Sequence, residues 1–205
     1  MSLETAPRLI LASKSASRRA MLDAAGVAYD AVPADIDERA VEAGLTGAAP
    51  GAVAEALAVA KAAAVAALHP GALVLGSDSL VVAAGQRFDK PRSRDEAGEH
   101  LRLFSGRVME LHSAAALVRA DGSGAGCEWS QASIARLHVR DLSEDFITAY
   151  LDLEWPAIGH TVGAFRIEGP GVQLFDNIEG DQFTVLGMPL LPLLGALREA
   201  GVLIA

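Results

Sequence analysis

The feature that most constrains the fold is the stretch 9–19, where an apolar run passes through small and hydroxyl residues into a charged segment. Residues 9–12 are typical of a short buried strand, and residues 18–25 of a helix ended by Gly26. A strand that enters a helix through serines directs free backbone N–H groups and the positive end of the helix dipole to one point. The stretch therefore predicts an anion site, strengthened by three clustered cations: Lys14, Arg18 and Arg19. A merely solvated basic helix start is the alternative.

The overall charge favours a local cationic pocket over a broad basic surface. Among 205 residues, 17 Lys and Arg stand against 26 Asp and Glu, a formal net charge of −9, which argues against a protein that coats nucleic acid. A single cysteine, Cys127, excludes an intramolecular disulfide and a cysteine-based zinc site. We find no membrane-length apolar run and no basic-then-apolar leader, and we expect a cytoplasmic protein that does not bind membranes.

Two charged residues stand in apolar surroundings. Lys61 lies on the apolar stripe of an alanine-rich helix predicted over 52–68, where it either extends to water or points into a cleft. Asp78 lies between apolar strands predicted at 72–76 and 80–82, and a carboxylate there is costly to bury without a cation or metal. We therefore place Asp78 at the functional end of a strand.

The order of elements predicts an α/β fold with a mixed sheet. Strands and helices alternate early, and a strand-rich block with a hairpin turn at Asp121-Gly122 follows. Further strands are predicted at 172–175 and 183–186, and a final helix at 190–200. Two lobes that flank a deep cleft fit this order better than one doubly wound sheet.

The unusual polar residues point to phosphoanhydride hydrolysis. Cations can hold a polyphosphate, carboxylates can hold Mg²⁺ or Mn²⁺, and one carboxylate can activate the attacking water. The residues concerned are Ser13, Arg18, Arg19, Glu38, Lys61, Asp78 and Lys90.

The motifs resemble those of the Maf family of nucleotide pyrophosphatases, which is also known for a septum-formation phenotype. They are Ser13-x-Ser15-x-x-Arg18-Arg19, Gly76-Ser77-Asp78, Lys90-Pro91, Ser105-Gly106 and Gly180-Asp181 with Gly187-Met188-Pro189-Leu190. The resemblance implies one Maf-like domain over 1–205, with an elongated mixed-sheet α/β fold and a deep cleft. It also implies hydrolysis of a nucleoside triphosphate to the monophosphate and pyrophosphate with Mg²⁺ or Mn²⁺, and often a homodimer.

The resemblance also assigns roles to the candidate residues. Asp78 resembles the family's proton acceptor and Glu38 its second acidic residue, so both are candidate metal ligands. The candidate phosphate contacts are Arg18, Lys61 and Lys90 by resemblance, together with Ser13 and Arg19 of the predicted anion site.

The stretch 163–169 bears on the choice of base. It carries Glu168 where the dTTP/UTP branch of the family has glutamine, and so is closer to the 7-methyl-GTP branch. A carboxylate can accept both donors on the Watson–Crick edge of guanine, with Phe165 available for stacking. Ser17 and Ser79 stand at two further positions where the branches differ, and a dTTP/UTP pyrophosphatase stays open as an alternative.

Two other functions remain open. One is a nucleotide-binding regulator of cell division that uses the pocket without turnover. Asp78 counts against it, because a carboxylate beside phosphates weakens binding unless metal offsets the charge. The other is a sugar-phosphate or polyphosphate phosphatase, against which a base-reading residue such as Glu168 counts.

Overall fold

The computed structural model describes residues 7–121 and 124–204. The strands are β1 (Leu9–Leu11), β2 (Asp30–Ala31), β3 (Leu73–Ala83), β4 (Gln86–Phe88), β5 (Val108–Asp121), β6 (Gly124–Val139) and β7 (Phe175–Glu179). The helices are α1 (Ala16–Ala24), α2 (Glu38–Ala43), α3 (Pro50–Ala66), α4 (Arg94–Phe104), α5 (Glu144–Glu154), α6 (Gln182–Val185) and α7 (Leu190–Glu199). Two short 3-10 segments lie at Ala157–His160 and Pro170–Leu174.

The described strands form one mixed sheet in the order β2-β1-β3-β5-β6-β7, with β4 also paired to β3. The pairs β1–β2 and β1–β3 are parallel, and the other pairs are antiparallel. The mixed α/β fold predicted from the sequence is therefore confirmed.

One edge of β3 is open in its middle. Leu73–Leu75 pair with β1, and Val81–Ala83 pair with β4 on the same side, while β5 covers the other side from Leu73 to Ala83. Among the described residues, no strand pairs with 76–80 on the β1/β4 side. The backbone and side chains of this segment are consequently accessible from that edge.

Asp78 lies within this open segment, so its prediction at the end of a strand is wrong. The sequence breaks into two apolar runs around Ser77-Asp78-Ser79, which favoured the end of a strand at this point. The ladder with β5 continues through Asp78, opposite Ala114, and keeps the backbone extended. Sheet pairing thus overrides the local polarity of these three residues.

Helix α3 packs unusually close to β3 because the contacting residues are small. A Cβ added to Gly76 would lie 2.0 Å from the Ala58 carbonyl oxygen and 2.8 Å from the Ala62 nitrogen. Any side chain larger than that of glycine at position 76 would therefore collide with the backbone of α3. Since side chains alternate along a strand, Asp78 points to the same face as Gly76, toward α3.

The rest of the core lies in clusters around the sheet. On the face opposite α3, residues of α1 and α7 such as Leu22 and Leu197 pack on Leu73 and Leu75. Farther along the sheet, α4 and α5 cover a second cluster that includes Phe104 and Ile147. The predicted arrangement of two lobes around a cleft stays a prediction.

Several boundaries differ from the sequence prediction. The segment 183–186, predicted as a strand, belongs mainly to α6, and most of 172–175 is 3-10 helix. Helix α2 was not predicted, and α3 starts at Pro50. The predicted turn at Asp121-Gly122 lies partly outside the described residues.

In the part of the chain that the structure describes, no helix is both long and apolar enough to cross a bilayer.

Candidate active site

A pocket of about 1160 Å³ lies at the open edge of β3. It collects every predicted site residue except Arg19, although these residues come from distant parts of the chain. Those that line it are Ser13, Ser17, Arg18, Glu38, Lys61, Asp78, Ser79, Lys90 and Glu168.

Lys61 connects the two acidic residues of the pocket. Its Nζ lies 2.5 Å from Asp78 Oδ1 and 2.8 Å from Glu38 Oε1. The Lys61 and Asp78 side chains are only 15% and 12% exposed, whereas that of Glu38 is 50% exposed. Lys61 therefore points into the pocket and does not extend to bulk water, and two carboxylates from different elements converge on one ammonium group.

Arg18 contacts protein acceptors with most of its donors. Its Nε donates to the Gly187 carbonyl (3.0 Å) and its Nη1 to the Ser77 carbonyl (2.9 Å). Longer bonds run from Nη1 to Ser13 Oγ (3.4 Å) and from Nη2 to Ser79 Oγ (3.1 Å). The Ser77 carbonyl belongs to the open segment of β3, so Arg18 satisfies a group that a neighbouring strand would otherwise bind.

Burial lowers the pKa of the Arg18 guanidinium, while the charges of Asp78 and Glu38 act in the opposite direction. Arginine nevertheless remains a cation at any physiological pH. The guanidinium thus brings a positive charge to the pocket, in an orientation set by its protein partners.

The carbonyl oxygen of Gly187 is a shared acceptor that connects Arg18 with two serines of β3. It accepts hydrogen bonds from Ser77 Oγ and Ser79 Oγ, each at 3.1 Å. The residue has φ 102°, and an added Cβ would lie 3.2 Å from Ser79 Oγ. A side chain at position 187 would therefore be strained and crowded.

The two serines predicted to affect specificity are held by this same segment. Ser17 Oγ donates to the Leu186 carbonyl at 2.9 Å, and Ser79 Oγ interacts with Ser113 Oγ at 3.0 Å as well as with Gly187. Both residues line the pocket, but their hydroxyls already have protein partners.

The remaining predicted phosphate contacts differ in position. Lys14 and Lys90 are exposed residues of the pocket wall, and Ser13 Oγ accepts a hydrogen bond from the Ser15 N–H at 3.2 Å. Arg19 is not part of the wall, and its buried Nε has no hydrogen-bond partner among the described residues.

Glu168 is exposed on a turn that α5 holds in place. The Glu154 carboxylate, 4% exposed, accepts two hydrogen bonds from Arg166, at 2.9 Å from Nε and 3.0 Å from Nη2. One turn earlier on α5, Tyr150 donates its hydroxyl proton to the carbonyl of Ala164 at 3.2 Å. Burial raises the pKa of Tyr150, so the hydroxyl stays a donor.

Phe165 contributes to the wall but offers little area for stacking. It is 5% exposed, and its ring packs edge-to-face against Phe175 with centroids 5.0 Å apart. The stacking role expected from the sequence is not supported by this packing.

Several residues of the pocket wall escaped the sequence analysis: Arg39, Glu42, Arg87, Arg92 and His160. Glu42 follows Glu38 by four residues, so the pair lies on one face of α2. That spacing could have revealed Glu42 if the short helix had been recognised. His160 and the arginines have no distinctive local pattern.

A comparison with models of known protein families shows which family the chain belongs to. Residues 8–200 match the family model described as Maf-like protein. The chain belongs to the Maf family. The match spans the Maf motifs around Arg18, Asp78 and Gly187 that form the pocket.

Similar proteins match nearly the whole length of the chain. A nucleoside triphosphate pyrophosphatase of Rhodopseudomonas palustris is 48% identical over 95% of this chain and 95% of its own length. Two proteins named 7-methyl-GTP pyrophosphatase, from Rhizobium etli and Rhizobium meliloti, are 48% and 49% identical, each over 96% of this chain and 98% of its own length.

Proposed function

We propose that this Maf protein hydrolyses the α–β phosphoanhydride of a nucleoside triphosphate and releases the monophosphate and pyrophosphate. The observation that carries the proposal is the contact of Lys61 with both Asp78 and Glu38 in a pocket that cations also line. The names of the similar proteins from Rhodopseudomonas and Rhizobium support the same reaction.

The cations would bind the polyphosphate. Lys14 and Lys90 are exposed at the pocket, and among the described residues neither has a hydrogen-bond or ion-pair partner that it would lose on contact with phosphate oxygens. Arg18 would add positive charge from deeper in the wall, and Lys61 would face the reacting phosphate beside Asp78. Charge fixed in this way stabilises the negative charge that develops in the transition state.

Asp78 would accept a proton from the attacking water. Its carboxylate is on the pocket wall, and Lys61 restricts its orientation through Oδ1. A positioned general base of this kind contributes about 10²–10⁴-fold to the rate. The proton passes to the carboxylate as the water oxygen bonds to phosphorus and the bond to the pyrophosphate oxygen breaks.

A divalent cation, Mg²⁺ or Mn²⁺, fits this donor set. Lys61, Glu38 and Asp78 together carry an excess of one negative charge, and a metal ion held by the two carboxylates would offset that charge beside the phosphates. No group of three or more His, Cys, Asp or Glu side chains within 7–121 and 124–204 is arranged to hold a metal. Magnesium commonly uses one or two carboxylates together with substrate phosphates, and Glu38 and Asp78 would supply the former. When bound, the ion would neutralise charge on the phosphates.

Glu168 would read the base, and a guanine-type triphosphate such as 7-methyl-GTP is the candidate substrate. Its carboxylate can accept the N1–H and 2-amino protons of guanine together, whereas uracil and thymine present one donor between two carbonyl oxygens. Bidentate pairing of this kind discriminates by about 1–3 kcal/mol, or roughly ten- to hundredfold. A dTTP/UTP preference is the alternative outcome. A cytoplasmic location and a homodimer remain predictions.

A substrate panel tests both the reaction and the base. We expect pyrophosphate, and not orthophosphate, as the product. We also expect kcat/KM for 7-methyl-GTP and GTP to exceed that for UTP and dTTP, and Glu168→Gln to reduce or reverse this order because an amide both donates and accepts. The two products are measured separately for each substrate.

Each part of the proposal can fail separately. Orthophosphate as the only product would refute the reaction, and binding of nucleotides without turnover would favour the regulator. A wild-type preference for UTP or dTTP, or an unchanged order in Glu168→Gln, would show that Glu168 does not read the base.

A further inference from the structure

Helix α2 carries Glu38 but has little to hold it in place. It is six residues long and contains no buried residue. Isolated helices of this length are unstable in water, so contacts with the rest of the protein must fix it. Its apolar contact is the half-buried Val41, which packs on the cluster that includes Leu57 of α3.

Two ion pairs supply the other attachments. Glu38 contacts Lys61 of α3, and one helical turn later Glu42 contacts Arg87 of β4, with Oε1 2.8 Å from Nη1. Glu42 and Arg87 are 25% and 36% exposed and both line the pocket, so their pair lies at its wall. Arg87 also approaches the exposed Asp89 at 3.4 Å, next to Lys90.

Substrate binding would affect the Glu38–Lys61 pair and the Glu42–Arg87 pair differently. Lys61 lies where polyphosphate would bind, so its contact with Glu38 competes with substrate. Arg87 can keep Glu42 throughout, since strand β4 is fixed to β3 by the pairing of Val81–Ala83. The Glu42–Arg87 pair therefore joins α2 to the sheet independently of Lys61.

We propose that Glu42 and Arg87 are positioning residues that hold α2 against β4 and thereby keep the Glu38 carboxylate beside Lys61 and Asp78. The expected effect of the Glu42–Arg87 pair on catalysis rests on the proposed function. The expected effect of the pair on the position of α2 can be measured in the absence of substrate.

Hydrogen exchange of the free protein tests the positioning directly. The relevant amides are those of Ala40, which donates to Asp37 Oδ1 at 3.1 Å, and Val41, which donates to the Asp37 carbonyl at 3.3 Å. Glu42→Gln and Arg87→Gln should each speed exchange in 40–44 by about two- to fivefold, the range that partly exposed ion pairs contribute. Exchange in α3 should stay unchanged.

The same variants are then assayed for kcat/KM with the preferred nucleotide. Each single variant should lose activity by about two- to fivefold, and the double variant should lose no more than either single one. In a Glu38→Gln background, Glu42→Gln should have no further effect, because the group that it positions is already gone. The exchanged pair Glu42→Arg with Arg87→Glu should restore exchange and activity toward wild type.

Glu144→Gln is the matched control. Glu144 forms a bidentate pair with Arg102 at 2.8 Å between α4 and α5, and neither residue lines the pocket. This variant should leave both readouts unchanged.

Unchanged exchange in Glu42→Gln would overturn the inference, as would faster exchange with unchanged kcat/KM. The inference would also be overturned if Glu42→Gln reduced kcat/KM in the Glu38→Gln background by the same factor as in the wild type. A wild type that releases no pyrophosphate from any nucleotide would instead refute the proposed function, while the exchange data would still report on α2.

Discussion

Lys61 shows how one charged residue can organise a site from within an apolar helix face. Its neighbours on that face, Leu57 and Val65, are buried, and an unpaired ammonium there would be expensive. Contacts with Asp78 and Glu38 offset this cost and also fix where both carboxylates point. The same contacts leave Asp78 beside the cation that would face a phosphate.

The first residue-level prediction concerns Asp78→Asn. The amide keeps the size of the side chain and an oxygen acceptor for Lys61 but cannot accept a proton from water. We expect kcat to fall about 10²–10⁴-fold while nucleotide affinity holds or rises, because a negative charge near the phosphates is removed. Steady-state kinetics and calorimetric binding of a non-hydrolysable analogue check this. Turnover near the wild-type value would exclude Asp78 as the base.

The second concerns Arg18→Lys. An ammonium group keeps the charge but cannot reproduce the planar fork that reaches Gly187, Ser77 and Ser79. We expect a loss of about 1–3 kcal/mol in the free energy of unfolding, because buried acceptors lose their donor, together with reduced kcat/KM. Urea unfolding and kinetics measure the two effects.

Lys14→Ala is the control for Arg18→Lys, since Lys14 is an exposed cation of the same wall. It should reduce nucleotide binding with little change in stability. If Arg18→Lys kept full stability and lost only affinity, the protein contacts of Arg18 would be secondary to a phosphate contact.

At the scale of elements, helix α5 supports one wall of the pocket through hydrogen bonds made by two residues that lie one turn apart. Tyr150 and Glu154 hold the turn 163–169 through the Ala164 carbonyl and the Arg166 guanidinium. Ala164 has φ 55°, an unfavourable value for a residue with a Cβ, so the turn needs such support. Glu168 lies in the same turn, two residues after Arg166, so its position depends on α5.

We therefore predict that Glu154→Gln weakens base discrimination. The amide keeps one acceptor for Arg166 and loses the charged bidentate pair, at a cost of about 1–3 kcal/mol in unfolding free energy. The ratio of kcat/KM between 7-methyl-GTP and UTP should fall toward one, with kcat for the preferred substrate nearly unchanged. Reduced stability with an intact ratio would show that the pair supports the fold alone.

At the scale of the whole molecule, the sequence predicted the features that depend on neighbouring residues. The strand–turn–helix around Ser15 and the lysine on the α3 stripe were both predicted from residues that are close together in the sequence. For Lys61 and Asp78 the sequence indicated only that each charge is costly to bury alone; their contact with each other is seen in the structure.

The features that sequence reasoning missed depend on contacts between distant segments. The continuity of β3 through Asp78 comes from pairing with β5, and the ion pairs of α2 run to α3 and β4. The partners of Arg18 could not be predicted, because Gly187 lies 169 residues later and a backbone carbonyl has no sequence signature. The packing of Phe165 against Phe175 could not be predicted for the same reason, because the two residues meet only in the folded chain.

The bond between Arg18 and Gly187 has a consequence for how the protein is made. The two residues are separated by 169 positions, so at about 5–20 residues per second the ribosome adds Gly187 roughly 10–30 s after Arg18. Once Lys90 has been added, the nascent chain holds the cations and both carboxylates, but Arg18, Ser77 and Ser79 still lack their shared acceptor. The pocket is thus completed late in synthesis, and a chain released before Gly187 would contain the reactive groups without the carbonyl that orients Arg18.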